Sequence, residues 1–266
     1  MPIISDQTLN RRQVHSVVGE WLGHFPVAGW LRVVSALIQR QTATENVDWS
    51  EKISETTMEL LREAQNKIIE QGDPVKGHWL VRRESPIKVW TDASSIALGV
   101  VLEIDNDIVE DASWLRPKND SAHINLRELD AAIRGLNLAL SWGKRIIMLI
   151  TDSATVVGWL RAVIEGTHNV KTRSLSEMLI RRRLDTLKNF IEQENLEIKV
   201  QYVESAKNLA DKLTRLPSKA MQKLDQPGLQ TKFKHLYICK TCHIRRYSRN
   251  SLQMSFWRRS NIGNGA

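Results

Sequence analysis

The chain has 266 residues, 42% of them hydrophobic, a formal net charge of +8 and two cysteines, Cys239 and Cys242. That length and apolar content suit one full domain plus something smaller and argue against wholesale disorder, while two cysteines exclude a disulfide framework. The basic excess is local: residues 218–266 hold ten Lys and Arg against one acid, Asp225, which is +9 and leaves −1 for the first 217 residues.

The basic character therefore belongs to the tail and does not by itself make the main domain a nucleic-acid binder; a solvated extension and a phosphate-binding arm both stay open for it. No run of about 18 apolar residues occurs, and the N-terminus lacks a basic–apolar–small leader pattern. The expectation is an intracellular protein, cytoplasmic or nuclear, that makes no use of a membrane.

Residues 1–80 read as a helical segment. Helices are expected over Leu9–Gly23, Val27–Gln41 and Trp49–Gln71, the last with Ile53, Met58, Leu61, Ala64 and Ile68 near helical spacing and Gly72-Asp73-Pro74 as its stop. No carboxylate cluster or phosphate loop stands out there, so these helices look like packing material.

From residue 86 the pattern changes. Ile87–Asp92 alternates as a strand, and Ala97–Ile104 and Ile108–Leu115 follow after short polar breaks, which predicts a three-strand meander. Leu126, Leu129, Ile133, Leu136 and Leu140 then recur at i, i+3, i+7, i+10 and i+14, a helix. Ile146–Ile150 is a continuous apolar run, suited to a strand covered on both faces. Helices follow from Thr155 to Ile164 and through Ile180, Leu184, Leu187 and Ile191; then come a strand over Ile198–Tyr202 and a short helix over Asn208–Leu216. This order makes an α/β fold, a mixed sheet flanked by helices over residues 86–217. Residues 218–266 show no sustained period and are expected to be a flexible basic tail.

Four acids sit at the ends of these elements: Asp92, Glu128, Asp152 and Asp211. Each has a structural explanation when taken singly. Asn125 with Glu128, and Asn208 with Asp211, have capping-box-like spacing; Asp152 or Ser153 can cap a helix; Asp92 can be a turn acid. Should the first and fourth strands be neighbours, Asp92 and Asp152 emerge side by side, and Glu128 and Asp211 reach the same spot from helix starts. Two unit charges about 4 Å apart repel by about 4 kcal/mol at an effective dielectric of about 20. Four converging carboxylates therefore call for cations, and two hard divalent ions, Mg²⁺ or Mn²⁺, match them in charge and in ligand preference. No lysine or arginine is obviously placed among all four, although Arg127 adjoins Glu128.

Trp90-Thr91-Asp92-Ala93-Ser94, Asn125-Leu126-Arg127-Glu128-Leu129, Ile150-Thr151-Asp152-Ser153 and Asn208-Leu209-Ala210-Asp211-Lys212-Leu213-Thr214-Arg215 resemble type 1 ribonuclease H, with the acids 36, 24 and 59 residues apart. The likeness is to the ribonuclease H region of retrotransposon Pol polyproteins, particularly of BEL/Pao type. His24–Arg32 is similar to the segment joining the reverse transcriptase thumb to that region, and a polymerase domain in a parent polyprotein is the implied partner. Polymerase activity is not expected, because no Asp-Asp dipeptide occurs.

The resemblance implies a five-stranded ribonuclease H-like sheet and a two-metal endonuclease that cuts the RNA strand of RNA–DNA hybrids. Asp92, Glu128, Asp152 and Asp211 would be the metal ligands, and Ser94, Ser95, Asn125, Arg127 and Ser153 the candidate substrate contacts. Recognition would be by groove shape and 2′-hydroxyls, without reading sequence. Two departures stand out. Glu204-Ser205-Ala206-Lys207 lacks the histidine that many relatives carry before the last aspartate, and no basic, tryptophan-bearing handle separates the middle helices. Arg181, Arg182 and Arg183 are an alternative backbone contact or a solvated helix face.

His235, Cys239, Cys242 and His243 offer zinc-type ligands, but their spacing departs from the integrase zinc module, and a degenerate remnant is the favoured reading. Two other functions compete with the hybrid nuclease. One is an inactive, nucleic-acid-binding relic of a mobile element. The other is an integrase or 3′–5′ exonuclease of the same superfamily, which the second acid on a helix after a three-strand meander argues against.

Overall fold

A computed structural model describes residues 8–45, 48–77, 85–167 and 177–217. Three helices come first, α1 (Arg11–His24), α2 (Trp30–Thr44) and α3 (Glu55–Gln71). α1 starts on a reciprocal capping box, with the Asn10 side chain accepting from Gln13 N and the Gln13 side chain accepting from Asn10 N, both at 2.9 Å. The Ser54 hydroxyl caps α3 by accepting from Thr57 N. Each helix presents an apolar stripe, and Trp21, Leu31, Ile38, Met58 and Leu61 meet in a fully buried core.

The sheet has five strands, β1 (Ile87–Ala93), β2 (Ala97–Ile104), β3 (Asp107–Leu115), β4 (Ile146–Thr151) and β5 (Glu197–Tyr202), in the order β3-β2-β1-β4-β5. β1 pairs antiparallel with β2 and β2 with β3, so the meander expected from the alternation forms; β4 joins β1, and β5 joins β4, in parallel. α4 (Ile124–Ser141), α5 (Ala154–Ile164) and α6 (Glu177–Glu194) supply the crossovers. Leu126, Leu129, Leu136, Val156, Leu160, Ile180, Leu184 and Leu187 pack on Val89, Val100, Ile147 and Leu149 in the second core. α4 lies so near the sheet that a Cβ at Gly135 would stand 2.6 Å from the Val89 side chain.

The last predicted helix takes another form. Residues Ser205–Lys207 and Leu209–Leu213 are two 3₁₀ turns, and the α-helix expected over Asn208–Leu216 is not present. Side-chain bonds to the sheet outcompete α-helical ones here. Asn208 Nδ2 donates to Thr91 O at 3.0 Å while its Oδ1 accepts from Ala210 N at 3.1 Å; Ser113 Oγ donates to Leu213 O at 2.8 Å, and Ser94 Oγ to Thr214 O at 2.7 Å. The strap so formed crosses β2 closely enough that a Cβ at Gly99 would meet Leu213 Cβ at 2.8 Å.

The helical segment packs against this sheet through α2 and β3. Asp111 on β3 is buried, and its carboxylate accepts Ala28 N at 3.2 Å, Gly29 N at 2.5 Å and the Arg32 Nε. A buried acid at the start of a helix, taking its free N–H groups, is well matched to the helix dipole. Arg40 adds a bond to Arg116 O at 2.7 Å, and Leu216 from beyond the strap sits in the helical core. None of the described helices is long and apolar enough to cross a membrane. The tail expected over residues 218–266, with His235, Cys239, Cys242 and His243, lies outside the described residues.

Candidate metal centre

Register places the first two acids. Thr91 faces Thr151 in the parallel β1–β4 pair, so Asp92 and Asp152, each one residue further on, stand side by side where that pairing ends. Glu128 comes to the same place from the opening of α4, held by the burial of Leu126 and Leu129 on either side of it. One carboxylate oxygen from each of Asp92, Glu128 and Asp152 lies within 4.8 Å of the others. His123 caps α4 by accepting from Asn125 N at 3.2 Å, so the Asn125–Glu128 capping box does not account for Glu128.

The cluster is electrostatically costly. Burial first, then the charges of Asp92 and Asp152, push the Glu128 carboxyl up to about 8, against a bond from Ala93 N–H. Burial is also the largest cause that raises Asp92, to about 6; the Thr214 hydroxyl, donating to Asp92 Oδ2, opposes it, and Asp152 and Asp211 add to it. Glu128 Oε2 is buried with no hydrogen-bond partner. An unpartnered buried carboxylate oxygen beside two more acids is a hard-oxygen donor set, and it fits a divalent cation.

Asp211 stands beside this trio, not within it. It is raised by burial and by Asp152, while Arg215 lowers it, and its Oδ1 pairs with Arg215 at 2.6 Å. An arginine thus reaches the fourth acid, where the sequence showed none obviously placed. Arg127, the cation adjoining Glu128 in sequence, turns away to Asp120 and Asp130.

Known proteins agree on the architecture. A family model described as reverse transcriptase-like matches residues 88–212, and one described as a domain of unknown function (DUF7047) matches residues 10–70. The foamy viral protease-reverse transcriptase in complex with an RNA/DNA hybrid is 13% identical with a TM-score of 0.56, over 81% of this chain and 27% of that one. The same viral protein in complex with double-stranded DNA is 15% identical with a TM-score of 0.52, over 76% of this chain and 40% of that one. Ribonuclease H1 from the halophilic archaeon Halobacterium salinarum is 22% identical with a TM-score of 0.40, over 52% of this chain and 98% of that one. The sheet segment has a ribonuclease H-like fold. The chain spans less than half the length of the viral proteins. No curated protein matches it.

Within this domain, the candidate substrate contacts divide. Ser94 accepts from Ile96 N at 2.9 Å and Ala97 N at 3.2 Å and donates to Thr214 O, so its hydroxyl builds the β1–β2 turn. Ser153 caps α5, and Arg127 is locked in ion pairs. Ser95 is exposed in the turn and Asn125 is half-buried at the opening of α4. Among the helix arginines, Arg183 is held by Asp130 at 2.5 Å, while Arg181 pairs with Glu177 and is exposed, as is Arg182.

Four further side chains shape the site. Thr214 and Ser205 donate to Asp92 and Asp152, Asn208 ties the strap to β1, and Arg215 pairs with Asp211. The Asp211–Arg215 spacing of four is a readable helical-pair signal. The Ser205 and Thr214 bonds close loops of 53 and 122 residues and carry no local signal. Ser205 occupies the stretch that lacks the histidine.

Proposed function

We propose that this chain is a metal-dependent endonuclease that hydrolyses the RNA strand of RNA–DNA hybrids, and that it is a fragment of a retrotransposon Pol polyprotein of BEL/Pao type. The convergence of Asp92, Glu128 and Asp152 around an unpartnered Glu128 oxygen carries the reading. Asp92, Glu128 and Asp152 would hold two divalent cations, Mg²⁺ or Mn²⁺, with Asp211 supplying the fourth carboxylate. When bound, such a pair activates the attacking water and stabilises the leaving oxygen. Water oxygen bonds to phosphorus as the bond to the 3′-oxygen breaks, leaving a 5′-phosphate and a 3′-hydroxyl on the RNA.

The protein's part is orientation. Two hydroxyls of the strap hold the acids, Thr214 donating to Asp92 and Ser205 to Asp152. Ser95 and Asn125 remain the polar side chains offered to backbone and 2′-hydroxyl groups, which separate RNA from DNA without sequence readout. A polymerase domain of the parent polyprotein is the proposed partner.

One feature favours a second reading, a folded but inactive nucleic-acid-binding relic: Arg215 already neutralises Asp211. Incubating the purified protein with labelled hybrid, duplex DNA and duplex RNA, with and without Mg²⁺, separates the two. Mg²⁺-dependent loss of the RNA strand in hybrid alone, absent in Asp92→Asn, supports the nuclease. Binding without cleavage supports the relic, and preferential cutting of duplex DNA overturns the hybrid assignment.

A further inference from the structure

The charged side chains behind the carboxylates form a continuous chain, Arg116–Asp120–Arg127–Asp130–Arg183. Arg127 Nε and Nη2 donate to the two oxygens of Asp120 at 2.6 and 2.5 Å, and its Nη1 donates to Asp130 at 2.6 Å. On the far side of Asp120, Arg116 Nε donates at 2.9 Å, and on the far side of Asp130, Arg183 Nε donates at 2.5 Å. The side chains of Arg116 and Asp120 are 9% and 6% exposed, so that end of the chain is shielded from water, while Arg127 at its middle is 21% exposed. The two guanidinium groups and Ala122 N–H hold the Asp120 carboxyl well below the usual carboxylate range, with Arg127 the largest cause.

This chain reaches two of the clustered carboxylates from behind. Arg127 immediately precedes Glu128 on α4, and α4 begins on a histidine cap without an acid in its first turn. A bidentate fork fixes both the depth and the rotation of that turn, as a point charge would not. Arg116 Nη1 donates to Ser94 O at 2.8 Å, and the Ser94 hydroxyl donates to the carbonyl of Thr214, the residue whose own hydroxyl holds Asp92. Arg183 ties the same ladder to α6.

We propose that Arg127 is a positioning residue that sets the geometry of Glu128, and through Arg116 that of Asp92, from behind the site, and that it makes no contact with substrate phosphates. The proposal rests on the reading that these carboxylates bind divalent cations. Partners that orient metal ligands are worth about 10–100-fold in metal affinity.

The test measures Mn²⁺ binding by calorimetry on folded protein, verified by circular dichroism, together with the salt dependence of RNA–DNA hybrid binding. Arg127→Gln is expected to weaken Mn²⁺ binding by about 10–100-fold and to leave the slope of log affinity against log salt unchanged. Arg127→Lys keeps the charge without the fork and is expected to rescue little, whereas a purely electrostatic role predicts near-complete rescue and overturns the proposal. Asp120→Asn should reproduce the Arg127→Gln loss, and the double variant should be no worse than either single one.

Should Arg127→Gln fail to fold, Arg183→Gln at the more open end of the ladder reads the same effect as a smaller weakening. Folded variants that bind Mn²⁺ like the wild type sink the proposal. A salt slope lower by about 1 with unchanged Mn²⁺ affinity identifies Arg127 as a phosphate contact instead. Wild-type protein that binds no Mn²⁺ overturns the functional reading itself, a result separable from both.

Discussion

Glu128→Gln is the most informative single substitution, because its effect changes sign with the solution. In the metal-free protein the Glu128 carboxyl is held at about 8 against an ordinary value of 4.5. At pH 7 the unfolded chain ionises this group while the folded one keeps its proton. The shortfall of about 2.5 pH units, at about 1.4 kcal/mol each, costs the fold about 3 kcal/mol.

The sign follows from proton uptake. Below pH 4.5 both states are protonated and nothing is lost; stability falls as pH rises from there and levels off above about 8. Glutamine keeps the shape, retains an acceptor for Ala93 N–H and turns an amide toward the neighbouring carboxylates. In chelator at pH 7 the variant should therefore gain about 3 kcal/mol, or about 6–12 °C in melting temperature for a unit of this size. At pH 4 the two proteins should melt together.

Adding Mg²⁺ or Mn²⁺ reverses the order. Saturation at about 1,000 times the dissociation constant stabilises the wild type by about 4.1 kcal/mol, which exceeds the gap of about 3 kcal/mol as long as the variant, lacking one ligand charge, gains less than about 1 kcal/mol. Thermal melts in chelator at pH 4, 5.5, 7 and 8.5, repeated with metal, read both halves. A wild type whose stability is flat between pH 5 and 8, or a variant no more stable at pH 7 in chelator, refutes the burial argument.

Thr214→Val removes the hydroxyl donor to Asp92 while keeping the shape; it should cost about 1–3 kcal/mol. It should also move the acid limb of the pH–rate profile upward, since that bond lowers Asp92 more than the Arg215 charge does, and an unmoved limb argues against a role at the site. Asp111→Ala leaves Arg32 and two backbone N–H groups without their buried acceptor, with an expected loss of about 3–5 kcal/mol in urea denaturation. Gly135→Val drives a side chain into Val89 from a starting separation of 2.6 Å, and a loss of at least about 1–3 kcal/mol is expected by the same measurement. Wild-type stability in that variant would mean that α4 sits farther from the sheet.

Periodicity carried most of the fold. The alternation in Ile87–Asp92, the apolar run Ile146–Ile150 and the helical spacing from Leu126 to Leu140 are each a local record of which face is buried. The final strap resisted such reading, because its backbone follows side-chain bonds to β1, β2 and β3 that no local pattern encodes.

The same division runs through the site. Residue type and placement at element ends marked Asp92, Glu128 and Asp152 in the linear chain, since carboxylates that must meet are placed where strands and helices stop. Their mutual distance, the desolvation that raises Glu128, and the choice of partner by each arginine depended on packing in three dimensions. Arg127 borders Glu128 in sequence yet bonds to Asp120, and Arg215 reaches Asp211 instead, because a guanidinium turns to whichever acid the fold presents in its plane. Local chemistry named the acids, and long-range packing decided which of them face one another.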